Sequence, residues 1–488
     1  MEKITERVEK KERAVKVVQF GEGNFLRGFV DYMLDVANEK GAFDGSVAVV
    51  KPISYGSLEN FHAQNGLYTL LLRGRQEGET VVIQRAVSVI DRAVDAIEEY
   101  EAFMELAHIP TVRFVVSNTT EAGIVYDETD AFSLNPPKTY PGKLCKFLFE
   151  RYTAFNGAAD KGLILLPCEL IENNGGKLRE CVLKLCALWK LPEGFKAWLE
   201  ESNLFCSTLV DRIVTGYPKE EASALEEELG YHDALLDTGE PFALWVIESD
   251  RPEQVEKELP LPQAGLPVIY TQDQAPYRVR KVRILNGAHT STVLGAYLAG
   301  FDYVGDCMAD PTVRSFMERV VYEEIAPTVP LPAGEVKAFA ASVFERFENP
   351  FIKHALLSIA LNSVSKWKSR ILPSYLDSVR MNGGKLPERL TFSFAALAAF
   401  YTSGSYQNGE LTGLRGAESY PILDDADVLA FFGERLGETE EQLIRELAGH
   451  SAFWGRDLSE IEGFCNKAAG YLRDIRRDAA QALRRVLA

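Results

Sequence analysis

An amine, a carboxamide and an imidazole stand close together at Lys281, Asn286 and His289 in the second half of the chain. The small and apolar residues from Leu285 to Leu298 predict a helix with these groups at its start. At about 100° per residue, His289 lies roughly 80° and Asn286 roughly 140° around the axis from Lys281, so one broad face presents all three. Lysine can act as a general base where burial or nearby arginines favour its neutral form. The alternative is a basic helix start with structural Asn and His residues.

A glycine turn follows the first strand-like segment, in Val15-Lys-Val-Val-Gln-Phe-Gly21-Glu-Gly23-Asn-Phe-Leu-Arg27-Gly28. A helix is predicted from Phe25 to Lys40, which gives the strand–turn–helix context of a dinucleotide-binding loop. Gly21 permits the tight turn, and Gly23 lets a pyrophosphate approach the helix N-terminus. Leu26 replaces the third glycine of the usual fingerprint, so an ordinary glycine turn is the alternative.

The two segments together resemble the polyol-specific long-chain dehydrogenase/reductase family, the relatives of mannitol dehydrogenase. The family has a Gly-x-Gly-x-Phe-x-Arg loop and the Lys, Asn and His spacing seen here, together with a Val-Asp-Arg-Ile segment at Val210–Ile213. A branch that acts on sugar acids is indicated by three phrases, Gln19–Arg27, Ser117–Ile124 and Pro167–Ile171. The resemblance covers nearly the whole chain.

The resemblance implies reversible hydride transfer between NAD and a secondary alcohol of an open-chain sugar acid. Lys281 would be the general acid and base, Asn286 would donate a hydrogen bond to the reacting oxygen, and His289 would bind a neighbouring hydroxyl. The family often has a second Asn donor in a Cys-Asp-Asn-Leu segment, but Leu170 stands at that position here. Asn173 or Asn174 is a candidate replacement.

The cofactor-binding residues implied are ten positions at two strand ends: Phe20, Gly21, Gly23, Asn24, Phe25, Arg27, Asn118, Thr119, Thr120 and Glu121. The last three also fit the N-terminal cap of a helix. The second strand ends in Lys51 rather than the usual acid, and a cation there could receive the 2′-phosphate of NADP instead. NAD is predicted because the branch uses NAD.

Three residues are predicted to bind the substrate: Asp211, Lys366 and Arg370. Asp211 matches a family residue that faces the substrate, and an ion pair with Arg212 or a helix cap is the alternative. Lys366 and Arg370 lie four residues apart on one face of a predicted helix, where they could bind a carboxylate. A solvated basic stripe is the alternative.

Composition excludes several classes of protein. The 488 residues carry a net charge of −18, which argues against a nucleic-acid partner and requires local cations for an anionic substrate. The six histidines lack ligand spacing, so no metal site is predicted. Seven scattered cysteines, a charged N-terminus without an apolar run and no long apolar stretch predict a cytoplasmic chain without membrane attachment.

The pattern of elements predicts an α/β Rossmann-like domain with a mostly parallel sheet at 1–267, then a mainly α-helical domain at 268–488. A Pro-rich stretch at 259–267 separates them. Finer expectations are helices at 93–107, 352–370 and 440–488, and an exposed loop at 404–420.

Other functions compatible with the sequence remain open. A reductase of another hexuronate or a neutral polyol dehydrogenase would keep the same chemistry. An NAD-dependent sugar-acid epimerase would borrow a hydride and return it. A nucleotide-sensing regulator could share the fold, because fold alone does not fix function.

Overall fold

The computed structural model describes residues 1–120 and 122–487. The chain divides into two compact units. The first comprises Met1–Arg73 and Thr80–Gln274, and the second comprises Gly74–Glu79 and Ala275–Ala488. The predicted architecture, an α/β unit followed by a mainly helical unit, is confirmed.

A six-stranded parallel sheet forms the centre of the first unit in the described part of the chain. Numbered along the chain, its strands lie in the order 3-2-1-4-5-6, which corresponds to Ile90–Asp95, Ser46–Lys51, Val15–Phe20, Phe114–Ser117, Ile164–Pro167 and Leu204–Phe205. The strand order reverses between the first and fourth strands. In doubly wound sheets, ligands bind in the crevice outside the carboxyl ends of the strands at such a switch point.

Helices cover both faces of this sheet because its strands are apolar on both sides. Val17 and Val116 lie in one hydrophobic core, whereas Val18 and Val115 lie in the other. The α-helices of this unit are Ile4–Arg7, Asn24–Leu26, Tyr32–Glu39, Glu59–Ala63, Tyr100–Glu105, Tyr140–Ala154, Asn174–Leu188, Glu193–Ser202, Ala222–Leu229 and Pro252–Glu258. A π-helical segment, Arg27–Asp31, joins the second and third of them, and 3-10 turns occur at Leu106–His108, Ala159–Lys161 and Leu261–Ala264.

Three smaller sheets contain the other described strands of the first unit, including the hairpin of Tyr68–Gln76 and Glu79–Val87. A three-stranded sheet contains Ser207–Asp211, Leu244–Glu248 and Val268–Thr271. Another contains Asp237–Gly239, Tyr68–Gln76 and Glu79–Val87, and Glu2–Lys3 pairs with Tyr231–His232. Asp211 therefore lies at the end of a strand.

The second unit is built from helices. Its α-helices are Ala275–Arg280, Gly287–Leu298, Val304–Ala309, Pro311–Arg319, Ala333–Phe347, Leu356–Ile359, Ser363–Lys366, Leu372–Met381, Glu388–Tyr401, Ala426–Gly433, Glu440–Gly449, Ser451–Trp454, Phe464–Arg477 and Ala479–Leu487. π-Helical segments at Lys281–Asn286, Val320–Ile325 and Trp367–Ile371 continue helices without a break, and a 3-10 turn follows at Ala326–Thr328.

The helices Gly287–Leu298 and Glu388–Tyr401 pack together in the core of the second unit, and nearly every residue of both is buried. Gly295 allows the close approach, because a Cβ there would lie 3.1 Å from the Phe392 ring. This packing fixes the helix that carries His289.

Three of the finer expectations are wrong. Residues 93–95 belong to the strand Ile90–Asp95, and the helix begins only at Tyr100. The predicted helix at 352–370 is broken by Asn362, whose φ of +52° is left-handed. Residues 404–420 contain an antiparallel sheet of Ser405–Gln407, Glu410–Arg415 and Glu418–Ile422. The region from 440 is helical, as predicted, in several segments.

Candidate functional site

The glycine turn lies at the switch point, directly after the first strand. Gly21 has a φ of +122°, and a Cβ there would lie 3.0 Å from the Asn118 carbonyl oxygen. Its amide donates to the Val50 carbonyl at 3.0 Å. Gly23 borders open space and caps the following helix in an extended conformation. The backbone of this turn is therefore open to a ligand that approaches the helix N-terminus.

Arg27 and Asn24 stabilise the turn from within the protein. The buried Arg27 guanidinium donates to the Leu235 carbonyl oxygen, and to Asn24 Oδ1 at 2.5 Å. It also lies 5.2 Å from the centre of the Tyr68 ring. Both side chains thus stabilise the conformation of the loop. We propose that they contribute to cofactor binding in this indirect way.

The two aromatic residues predicted for this site have different environments. The Phe20 side chain is fully buried, with ring centroids 5.7 Å from Phe103 and 5.2 Å from Tyr140. Only its backbone is available at the strand end. The half-buried Phe25 stacks on Phe29 with centroids 5.1 Å apart.

The fourth strand ends beside the glycine turn, as the parallel pairing of Phe20 with Ser117 requires. The Asn118 amide donates to the Phe20 carbonyl at 3.1 Å, and Thr120 has a left-handed φ of +70°. The topology thus brings the two predicted cofactor segments together. Glu121 lies outside the described residues.

Glu169 organises this strand end, and sequence reasoning gave it no role. Its Oε1 accepts hydrogen bonds from the Thr119 amide at 3.0 Å and the Thr119 hydroxyl at 2.9 Å, and its Oε2 accepts one from Ser117 at 3.1 Å. Burial raises the pKa of this carboxyl, which is only 2% exposed. The signal was its position at the end of the fifth strand, next to Leu170.

The Lys51 ammonium is bound by groups of the protein itself. Its Nζ forms an ion pair with Asp95 at 2.7 Å and donates to the Ile53 carbonyl at 2.7 Å. Asp95 is its register partner at the end of the third strand. The ammonium that could have favoured a 2′-phosphate is therefore neutralised by an acid one strand away.

Asp211 is buried at the end of its strand. The adjacent Arg212 is also buried and stabilises the backbone of neighbouring segments. The Arg212 guanidinium donates to the carbonyl oxygens of Gly28 at 2.8 Å, Pro241 at 3.0 Å and Phe242 at 3.0 Å. Burial lowers its pKa to about 10. All three guanidinium nitrogens of Arg212 thus donate to main-chain carbonyls, which argues against the alternative of an Asp211–Arg212 ion pair.

The position of the missing family Asn is occupied by an exposed side chain, since Leu170 is 64% exposed. Asn174 is no replacement, because its buried amide donates to the carbonyls of Pro167 at 2.9 Å, Glu169 at 3.0 Å and Thr208 at 3.1 Å. Asn173 accepts a hydrogen bond from Ser207 at 3.0 Å. Asn174 serves to join two strand ends.

Lys281, Asn286 and His289 lie on one continuous helix that begins at Ala275, so the expectation that they stand at a helix start is wrong. Lys281 and Asn286 are the first and last residues of a π-helical segment. The i→i+5 hydrogen bonds of a π-helix bring residues five apart closer to one face than an α-helix does. The five-residue spacing therefore fits this local geometry.

His289 is buried in an unusual environment. Its ring stacks on Phe347 with centroids 4.2 Å apart, and meets the His354 ring at 5.3 Å and an interplanar angle of 90°. Its Nε2 has no hydrogen-bond partner among the described residues. Burial holds the pKa of His289 well below its usual value, and the nearby His354, Arg370, Arg346 and Lys366 act in the same direction. The imidazole is therefore neutral at pH 7.

Lys366 and Arg370 lie on one continuous helix, from which Arg370 contacts Thr290, the residue next to His289, and both charges lower the pKa of His289. Lys366 donates to the Ile359 carbonyl at 2.9 Å, and Arg370 makes one long contact of 3.5 Å to the Thr290 hydroxyl. Burial lowers the pKa of both groups. Neither forms an ion pair with a described residue. The second unit thus presents two partly buried cations beside a neutral imidazole.

His354 and Arg346 complete this group, although neither is among the site residues predicted from the sequence. His354 follows the end of the helix Ala333–Phe347, which carries Arg346 and Phe347. No periodicity relates them to His289, because a loop separates their elements. The signal available was the cluster of basic residues between Arg346 and Arg370.

Two features are absent from the described residues. They contain no group of three or more His, Cys, Asp or Glu side chains arranged to hold a metal ion. Of their helices, none has the length and apolar character needed to cross a membrane.

Comparison with known proteins matches both units to one family. The mannitol dehydrogenase Rossmann domain model matches residues 15–261, and the mannitol dehydrogenase C-terminal domain model matches residues 273–473. The chain is 47% identical over 465 residues to an altronate oxidoreductase of Escherichia coli O1:K1 / APEC, which covers 94% of this chain and 93% of that protein.

Two solved structures share the fold. A D-sorbitol dehydrogenase in substrate-free form superposes with a TM-score of 0.77 at 23% identity, covering 96% of this chain and 95% of the other. The mannitol 2-dehydrogenase of Pseudomonas fluorescens, in a ternary complex with NAD and D-mannitol, gives a TM-score of 0.65 at 22% identity, with 98% and 95% covered.

Proposed function

Because the chain belongs to the mannitol dehydrogenase family, we propose that it reduces D-tagaturonate to D-altronate with NADH, reversibly, in the breakdown of hexuronates. It is an oxidoreductase that acts on CH–OH groups. The motif resemblance in the sequence is confirmed by the family models. The name of the 47% identical relative supports a sugar acid as the substrate.

One observation carries the choice of an acid: Lys366 and Arg370 are partly buried beside His289 without an ion-pair partner among the described residues. Desolvating a cation without a partner is unfavourable, so such groups are usually matched by an anion. A guanidinium binds a carboxylate with two parallel hydrogen bonds. In a chain of net charge −18, these local cations supply the attraction that the overall charge opposes.

Three side chains of the second unit would carry the chemistry. Lys281 would donate a proton to the ketone oxygen as hydride reaches the carbon, and would accept it back in oxidation. Asn286 would donate a hydrogen bond to the same oxygen. The neutral His289 would offer Nε2 to a substrate hydroxyl. This proton transfer needs no metal ion.

The first unit would bind NAD. Its turn fits a dinucleotide because Gly21 adopts a φ of +122° and Gly23 faces open space before a helix. The bound cofactor supplies the hydride. Phe20, Asn118 and Thr119 would line the adjoining strand ends, and Asp211 would face the substrate. The ion pair of Lys51 with Asp95 favours NAD over NADP.

The state of the cysteines supports a cytoplasmic location. All seven are free, and six of them are buried. Free buried thiols are typical of a reducing compartment.

The test is oxidation of NADH, followed by absorbance, with D-tagaturonate, D-fructuronate and D-fructose in parallel. We expect fast turnover with D-tagaturonate and little with the other two. Replacing the Arg370 charge by Arg370→Met should raise KM for D-tagaturonate about tenfold to a hundredfold, because a hydrogen bond to a charged group contributes about 1.5–3 kcal/mol. The matched control is Arg380→Met, whose side chain is 77% exposed.

The turnover rates and the KM value distinguish the alternative functions. Fast turnover with D-fructuronate or D-fructose would move it to a sister branch of the family. NADH binding without turnover of any ketose would reject the reductase and favour an epimerase or a regulator. An unchanged KM in Arg370→Met would show that Arg370 does not bind the substrate carboxylate.

A further inference from the structure

His289 leaves a polar atom without a partner in the interior of the second unit. The residue is 7% exposed, Phe347 covers one face of its ring, and Nε2 contacts no hydrogen-bonding group among the described residues. A buried polar atom without a partner is unfavourable, so in enzymes such atoms often await a ligand. The substrate hydroxyl assigned to His289 would satisfy it.

The His354 ring stands edge-on to the same imidazole, with centroids 5.3 Å apart at 90°. Its backbone is held on both sides: the Val304 amide donates to the His354 carbonyl at 3.0 Å, and Tyr303 forms an antiparallel bridge with Ala355. Its half-buried ring makes no hydrogen bond to a described residue. The chain thus fixes an imidazole next to His289 and leaves its nitrogens available.

The charges around this pair favour an anion. Arg346, Lys366 and Arg370 act on His289 together with His354, and each disfavours a positive charge on its ring. Asp424, the acid that acts on Lys366, already accepts a hydrogen bond from Tyr401 at 2.5 Å. An uncharged imidazole beside two arginines and a lysine can donate an N–H to a carboxylate without a further desolvated charge.

We propose that His354 is a specificity-determining residue that donates a hydrogen bond to the carboxylate of an open-chain sugar acid, while His289 binds a neighbouring hydroxyl. This inference rests on the proposed function, and it names the residue that separates sugar acids from neutral polyols at that site. In this arrangement Lys366 and Arg370 attract the carboxylate by their charge. His354 orients it through a directional hydrogen bond, because the His354 backbone is held on both sides.

Two substitutions separate recognition from packing. His354→Phe keeps an aromatic ring against His289 and removes both nitrogens. His354→Gln removes the ring and keeps an N–H donor at similar reach. A packing role would be preserved by Phe, whereas a recognition role would be preserved by Gln. His450→Phe is the matched control, because His450 also packs between aromatic rings, those of Phe431 and Phe453, but acts in no proposed step.

The experiment measures binding by calorimetry to the enzyme saturated with NADH, a state in which the alcohols cannot react. D-Altronate is compared with D-altritol, its neutral counterpart. We expect His354→Phe to weaken D-altronate binding about tenfold to a hundredfold and D-altritol binding by no more than about threefold. His354→Gln should retain most of the D-altronate affinity, and His450→Phe should bind both as the wild type does.

Wild-type binding of D-altronate by His354→Phe would overturn the proposal, as would equal weakening of both ligands or no wild-type preference for D-altronate. Turnover of D-tagaturonate, measured on the same variants, tests the proposed reductase function separately from the role of His354. A wild type that shows the His354-dependent preference for D-altronate but reduces neither D-tagaturonate nor D-fructuronate would reject the reductase and keep this inference.

Discussion

At the scale of single residues, the proposed chemistry depends most on the Lys281 amine. Lys281→Ala removes the only side chain assigned to proton transfer, so kcat for D-tagaturonate should fall about 10²- to 10⁴-fold. NADH affinity should stay unchanged, because the cofactor residues belong to the first unit. Absorbance at the NADH band gives kcat, and NADH fluorescence gives affinity.

The control for Lys281 is Lys337→Ala, which removes an exposed amine from the helix Ala333–Phe347. It should behave as the wild type. A Lys281→Ala enzyme with more than about a tenth of wild-type kcat would assign the proton to another group.

Asp31 connects the cofactor turn to the protein interior. The fully buried Asp31 accepts a hydrogen bond from Gln19 at 3.2 Å, and Gln19 also donates to the Gly21 carbonyl at 3.1 Å. Burial raises the Asp31 pKa from 3.8 to about 7, and the Asp237 pKa, in the same region, is also raised to about 7. These carboxyls therefore keep protons in the folded state that they lose when unfolded.

The stability of the first unit should consequently fall as pH rises from about 4 to about 7. Below the unfolded pKa both states are protonated, and above the folded pKa both are ionised, so the loss is confined to that window. A shift from 3.8 to about 7 corresponds to at most about 4 kcal/mol for Asp31. Asp31→Asn keeps the acceptor for Gln19 and should flatten the fall, measured as urea midpoints at pH 5 and pH 8.

The matched control for this titration is Asp44→Asn, because the Asp44 side chain is 82% exposed. It should leave the pH dependence unchanged. Parallel stability profiles for Asp31→Asn and the wild type would show that Asp31 is ionised at both pH values.

At the scale of elements, the π-helical segment Lys281–Asn286 sets the geometry of the proposed catalytic face. Inserting one alanine after Val282 should exceed what this single wide turn can absorb, and should rotate Lys281 by roughly 100° relative to Asn286 and His289. Turnover should then be lost, while NADH binding by the first unit is kept. Retained turnover in the insertion variant would show that the three side chains need not share one face.

The central strands of the first unit could be predicted from the sequence because they are buried on both faces and carry local signals; these strands are Val15–Phe20, Ser46–Lys51, Phe114–Ser117 and Ile164–Pro167. The run Val15–Phe20 before Gly21 gave the cofactor turn, and the strand order then placed Asn118 beside it. By contrast, the acid at Glu169 required the parallel pairing of two strands distant in sequence.

The second unit was harder to predict in detail because helical period hides local changes. A π-helical turn inserts one residue without changing composition, so the position of Lys281 inside a continuous helix was not visible. The left-handed Asn362 ended a run whose apolar spacing suggested a helix. In 405–422, buried Leu411 and Tyr420 alternate with polar neighbours, but glycines and polar residues masked the strand pattern.

At the scale of the whole molecule, overall and local charge oppose each other. The net charge of −18 repels an anionic substrate at long range, whereas Arg346, Lys366 and Arg370 attract it at short range. Because long-range repulsion between exposed charges is screened by salt over about 10 Å, we expect the local cations to decide binding of the proposed substrate at physiological ionic strength. On the proposed function, specificity for an acid is therefore a property of a few partly buried residues.

The distribution of the cysteines over the whole chain leads to a final prediction. Six of the seven thiols are buried, and Cys465 alone is partly accessible in the described chain. A thiol reagent should therefore modify about one cysteine quickly in the native protein and all seven after denaturation without reductant, and Cys465→Ser should remove the fast phase. Cys145 and Cys186 have sulfurs 3.7 Å apart and are the pair placed to form a disulfide. Recovery of only five thiols from denatured protein would show that they are oxidised, and would argue against a reducing compartment.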